Sequence, residues 1–153
     1  MLRSNFAPRV ILVNHEKRLG VDTTCSNLAI KYNMLYISAY QIIKQHITGK
    51  TEWGAKLESC KMARDIVLSS SVRDEFDEAE FSPVHFDPAV VMGLLQYTVS
   101  TKMTNQKFVL LEGVCNTSKL GSKDDKLEMR SMDEFLDIER NIGSVKSIIG
   151  LQF

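Results

Sequence analysis

The chain has 153 residues, 44% of them hydrophobic and 25% charged, with eight glycines and three prolines; this suits one folded domain, residues 1–153, and excludes a disordered or fibrous chain. Nineteen basic residues balance nineteen acidic ones, so no overall field draws the chain to nucleic acid or an anionic membrane, and neither is expected as a partner. Cys25, Cys60 and Cys115 are too few and too scattered for a disulfide framework or a tetrahedral metal site, no apolar run approaches the roughly 18 residues of a membrane span, and a cytoplasmic location is expected.

Residues 1–9 read as an N-terminal extension; Leu2, Arg3, Phe6 and Arg9 faintly suggest a mitochondrial leader, but an apolar strand from Val10 leaves no room for one. The run Val10 to Val13 is short, branched and continuous, the pattern of a strand buried on both faces of a parallel sheet. Similar runs recur at Met34 to Ile37, Phe108 to Leu111 and Val145 to Leu151. Helical patterns lie between them. Thr23 to Tyr32 has Asp22 or Thr23 as N-cap, and Ala39 to Thr48 carries Ile42, Ile43 and Ile47 on one side before Gly49. A third helix is predicted over Gly54 to Ser69, with Leu57, Cys60, Ala63 and Val67 inward. Asp87 and Pro88 open a fourth, with Val91, Leu94, Leu95 and Thr98 inward. Ser131 and Glu134 form a capping box ahead of Phe135 and Ile138, and Gly143 marks the stop. Residues 69–86 are an acidic insert, with Phe76 and Phe81 pinning it to the body, and 114–130 a polar loop. Strands alternating with helices predict an α/β fold with a parallel sheet and flanking helices, which binds ligands at the carboxyl ends of its strands.

In a P-loop protein the first strand runs into G-x-x-x-x-G-K-[ST], whose backbone N–H groups cradle phosphate while the lysine neutralises it. Here the strand is followed by His15-Glu16-Lys17-Arg18-Leu19-Gly20-Val21-Asp22-Thr23-Thr24. The stretch Val10 to Lys44, "VILVNHEKRLGVDTTCSNLAIKYNMLYISAYQIIK", resembles without gaps the opening of the adenylate kinases, P-loop nucleoside monophosphate kinases. "FDPAVVMGLL", "KFVLLEGVCN" and "IGSVKSIIGLQF" resemble that family's later helix and two later strands. The resemblance implies a P-loop nucleoside-triphosphate-hydrolase-like core with strand order 2-3-1-4-5, here lacking the lid and the last strand.

Carried over position by position, the first P-loop glycine falls on His15, the second on Gly20, the phosphate-binding lysine on Val21, the next residue on Asp22 and the following threonine on Thr23. An isopropyl group cannot neutralise a transferring phosphoryl, and a carboxylate beside it adds like charge. The family's Ser-Thr-Gly-Asp-Leu-Leu-Arg becomes Ser38-Ala39-Tyr40-Gln41-Ile42-Ile43-Lys44, and its Asp-Gly-(Phe/Tyr)-Pro-Arg becomes Glu112-Gly113-Val114-Cys115-Asn116. An ammonium replaces one forked guanidinium, and the second is gone. The nucleotide-binding positions that survive, in degenerate form, are Lys17, Arg18, Gly20, Thr23, Lys44 and Glu112. No catalytic residue and no metal ligand is expected, no cofactor is required, and weak ATP–magnesium binding is the most that the loop offers.

His15, His46 and His85 lack partners at ligand or catalytic spacing and read as surface or boundary residues; Trp53 reads as a packing anchor. The resemblance implies a non-catalytic adenylate-kinase-like domain, a structural or protein-interaction module of a larger cytoplasmic, cytoskeletal or axonemal assembly. The alternatives are an active nucleoside monophosphate kinase completed by segments outside this chain, or a nucleotide sensor. With the family's fifth strand missing, Lys146, Ile148, Ile149 and Leu151 form the expected partner-binding edge, for another protein or a continuation of the same polypeptide.

Overall fold

Four short runs rich in valine, isoleucine and leucine become four parallel strands: β1 (Arg9–His15), β2 (Leu35–Ser38), β3 (Phe108–Glu112) and β4 (Val145–Leu151). The computed structural model describes residues 8–15, 20–61, 80–114 and 125–151, without the side chains of 125–131 and 151. The strands lie in the order β2-β3-β1-β4, with Leu12 opposite both Leu111 and Ile148. Successive residues of a strand face opposite sides, so the sheet has two apolar faces. On one, Val10, Leu12, Val109, Leu111 and Ile37 pack beneath helices α2 (Ala39–Thr48), α3 (Glu52–Ser59), α4 (Pro88–Lys102) and α5 (Asp125–Asn141). On the other, Val13 and Leu110 meet Val21 and Cys25 of α1 (Val21–Tyr32).

Local chemistry sets the helix boundaries, and in three places it departs from the expected ones. α1 begins at Val21 rather than Thr23, with Gly20 in the left-handed region (φ 83°) as N-cap and no side-chain cap. Asp22, expected as a cap, is engaged elsewhere. The helix ends on Asn33, also left-handed (φ 52°), a conformation in which asparagine is tolerated better than most residues. Thr51 caps α3 by accepting from the Gly54 N–H at 3.1 Å, and the helix stops at Ser59, where the Cys60 N–H turns back to the Leu57 carbonyl. It therefore does not run on to Ser69 as one element; Ala63, Val67 and Phe76 lie outside the described residues.

Asp87 and Pro88 open α4 as expected, the carboxylate accepting from the Ala89 N–H at 2.9 Å, and Val91, Leu94, Leu95 and Thr98 are buried. The third departure is α5, which starts at Asp125, so Ser131 and Glu134 sit inside the helix rather than capping it, and 125–130 are helical rather than loop. Lys126, Leu127, Glu128, Met129 and Arg130 are all strong helix formers, and their summed propensity outweighs the capping motif. Glu134 and Ile138 are buried in this helix, whereas Met132 and Leu136 are exposed. Gly143 ends the turn, its N–H bonded to the Ile138 carbonyl, and the Ser144 carbonyl then receives the Val10 N–H at 2.8 Å.

Two features mark β4. Among the described residues it pairs only with β1, so its outer ladder is open. The register with β1 slips at its start, where Val10 faces Val145 and Ile11 faces Ser147, so Lys146 is the extra residue of a bulge. Ile148, on the face of the four helices, is 45% exposed, and a Cβ placed on Gly150 of the same face would meet open space. Among the described residues, no helix is long and apolar enough to cross a membrane.

Candidate functional site

A parallel sheet gathers the last residues of its strands at one edge; those of β1, β2 and β3 are His15, Ser38 and Glu112, and β4 ends there at Leu151. Glu112 is fully buried, the environment in which a carboxylate most needs partners. The Ser38 hydroxyl donates to its Oε1 at 2.7 Å, and His15 Nε2 lies 2.7 Å from its Oε2, an ion pair whenever the imidazole is protonated. Tyr36, two residues before Ser38 on β2, adds its hydroxyl at 3.4 Å from Oε1 and donates a shorter bond of 2.6 Å to Asp22 Oδ1 in the first turn of α1. Burial, then the charges of Glu112 and Asp22 and the bond to Asp22, push the Tyr36 phenol far above the usual tyrosine range. The hydroxyl therefore keeps its one proton, donated to Asp22, with Glu112 Oε1 beside it at 3.4 Å.

Two further contacts close this crevice. The Tyr40 ring lies tilted by 52° against His15, 6.4 Å between centroids. Gly113, directly after Glu112, turns the chain with φ 103°, and a Cβ there would come within 3.0 Å of the Ala39 Cβ. The Ser38 oxygen also receives the Gln41 N–H at 3.3 Å, so one hydroxyl caps α2 and holds Glu112.

The arrangement has chemical consequences. Ser38 and His15 sit on opposite oxygens of one carboxylate, so the acid lies between hydroxyl and imidazole, whereas the arrangement that activates a serine places the imidazole between hydroxyl and acid. Among the described residues the crevice holds two carboxylates, Asp22 and Glu112, whereas a phosphate site is built on cations and free N–H groups. Among the described residues, no group of three or more histidines, cysteines or acids is placed to hold a metal ion.

Of the positions singled out in the sequence, Glu112 is the centre of the network. Gly20 and Thr23 stand at the start of α1, next to Asp22, and Thr23 is exposed. Lys44 is exposed on α2, its ammonium 6.0 Å from the centre of the Phe81 ring. Lys17 and Arg18 lie outside the described residues. Val21 is fully buried with Val13, Cys25 and Leu110, so its side chain belongs to the packing beneath the crevice.

His15 is a network member that sequence spacing missed, because its partner is 97 residues away in the chain. His85 is a correction: it is buried rather than at the surface. His46 stays near the surface, bonded to Thr51, with its pKa lowered by partial burial and then by Lys102. Trp53 packs as expected, half-buried against the main core and 5.8 Å from the Tyr97 ring.

No protein-family model matches the chain, and no curated protein is significantly similar to it.

Proposed function

We propose that the chain is a P-loop nucleoside-monophosphate-kinase-like domain that does not transfer phosphoryl groups and acts as a protein-interaction module of a larger assembly. The strand order β2-β3-β1-β4 is the order that the resemblance to adenylate kinases implies for four strands, and it supports the fold part of this reading. The observation that carries the functional part is the pair of carboxylates at the head of the crevice. On this reading Asp22 and Glu112, which both approach the Tyr36 hydroxyl, occupy positions at which an active kinase would place positive charge for the transferable phosphate. At an effective dielectric of 20, each unit charge of a phosphate about 4 Å from one carboxylate meets a repulsion of about 4 kcal/mol. The start of α1 still offers a helix dipole and a left-handed glycine, which leaves room for weak anion affinity.

Calorimetry with ATP and magnesium is expected to show no binding tighter than about 100 μM, equivalent to about −5.5 kcal/mol. A coupled assay with adenine nucleotides is expected to stay at background. Micromolar ATP binding without turnover replaces this reading with a nucleotide sensor. Magnesium-dependent turnover abolished by Asp22→Arg or Gly20→Val overturns it in favour of an enzyme. The interaction surface in this proposal is the open edge of β4, with Lys146, Ile148, Ile149 and Leu151, where an added strand meets unpaired backbone donors and acceptors.

A further inference from the structure

The edge of β4 has features that select among possible strands. The bulge confines Lys146 to its beginning, leaving Ser147 to Leu151 as the regular stretch whose ladder with β1 runs without interruption. Within that stretch Ile148 and Gly150 share the face of the four helices and Ile149 the face of α1, following the register with Leu12, Asn14 and Val13. Ile148 is an apolar side chain 45% exposed, and over Gly150 there is open space. One surplus and one vacancy thus lie two residues apart on the same face.

From this pattern we infer that β4 pairs with β4 of a second copy of the chain, antiparallel and centred on Ile149, joining two sheets into one of eight strands. Directly opposed residues of an antiparallel pair point to the same face, so this register sets Ile148 of each copy over Gly150 of the other, and Ile149 against Ile149. The contact is isologous, each residue contacting the partner residue that contacts it in return, as a two-fold axis demands. Charge permits it. The one charge on the strand, Lys146, lies three residues from the axis, so the two copies are separated along the strands by about six residues, or about 20 Å, roughly twice the screening length at physiological salt. A register centred on Lys146 would instead oppose the two ammonium groups. The inference rests on the proposed reading of β4 as an interaction edge and names what occupies it.

The test uses the whole chain. Sedimentation at about 100 μM, where even a contact of about −5.5 kcal/mol is half associated, is expected to give a dimer, and Ile149→Lys, which sets two like charges opposite one another, to weaken it by about tenfold or more. Because Ile149→Lys also perturbs the α1 face, the register is read separately. In a background with Cys60 and Cys115 replaced by serine, Ile149→Cys is expected to form an intermolecular disulfide on mild oxidation, since opposed Cα atoms about 4.5–5.5 Å apart fall within disulfide reach. Ser147→Cys, four residues from its own copy, is expected not to. Cross-linking of Ser147→Cys but not Ile149→Cys overturns the proposed register. A monomer whose β4 amides exchange fast overturns the second-copy inference while leaving an open edge for a different strand. A monomer whose β4 amides exchange slowly overturns both the inference and the reading of this edge as an interaction surface.

Discussion

Glu112→Ala is the substitution that tests the crevice network most directly. Glu112 is fully buried, and its removal leaves the Ser38 hydroxyl, 2% exposed, and the His15 imidazole, 9% exposed, without the acceptor they share. Each buried polar group left unsatisfied costs about 1–3 kcal/mol, and breaking a buried pair by deleting one partner costs about 3–5 kcal/mol. A loss of about 3–5 kcal/mol is therefore expected, a large part of the 5–15 kcal/mol, roughly, that holds a domain folded. In urea, with a slope of about 1.5 kcal/mol/M, the midpoint falls by about 2–3 M. Glu112→Gln keeps the shape, accepts from Ser38 and can donate to one tautomer of His15, so its cost is expected to be smaller, about 1–2 kcal/mol. Combined with His15→Ala in a double-mutant cycle, Glu112→Ala should show a coupling above about 1 kcal/mol. If Glu112→Ala unfolds within about 0.5 kcal/mol of the parent chain with the same slope, the carboxylate is not held by these partners and the account of the crevice is wrong.

Gly113→Ala is expected to cost about 1–3 kcal/mol by equilibrium denaturation, because φ 103° is a glycine conformation and the new methyl meets Ala39 and Tyr40. Val21→Lys is expected to destabilise by several kcal/mol, about 3 or more, without gaining ATP affinity, since it puts an ammonium into the packing under the crevice; calorimetry and denaturation together check both halves. Tyr36 holds its proton above the tyrosine range, so above about pH 10 the folded state binds more protons than the unfolded state and stability falls as pH rises; Tyr36→Phe should remove that fall, as measured by denaturation from pH 9 to 11. His46 should titrate below the ordinary histidine range by NMR, and Lys102→Ala should move it part of the way back, burial being the larger cause.

The strands were the legible part of the fold, because Val10 to Val13 and Phe108 to Leu111 are uninterrupted apolar runs that no amphipathic helix needs. Val145 to Leu151 agrees with β4 at both ends, and Asp87-Pro88 predicted the start of α4, since a side-chain cap and a fixed φ act within three residues. Errors arose where a tertiary contact or a longer run of helix formers outweighed a short local motif. Asp22 reads as a cap for α1 but accepts a bond from Tyr36, fourteen residues on. Ser131 and Glu134 read as a capping box but lie inside a helix that begins at Asp125, with Glu134 buried against the body. The crevice was half legible. Glu112 stood out beside Gly113, whereas His15 and Ser38 fell on eroded motif positions with no role assigned, and the fact that all three end parallel strands is what brings them together.

One face of the sheet lies under four helices and the other, among the described residues, under α1 alone. α1 is held there by Val21, Cys25 and Ala29, with Ile30 on its outer side 81% exposed. Such thin cover makes this helix the first candidate to lift as a unit while the remaining layers stay assembled. Cys25 then reports on the event, since its thiol is fully buried and becomes reactive only in molecules whose α1 is raised. An opening free energy of about 2.8 kcal/mol would leave about one molecule in a hundred in that minor state, and the labelling rate of Cys25 relative to the half-exposed Cys60 measures that population. Asp22 sits on this helix and Tyr36 on the sheet, so lifting α1 would break their bond and part the two carboxylates of the crevice.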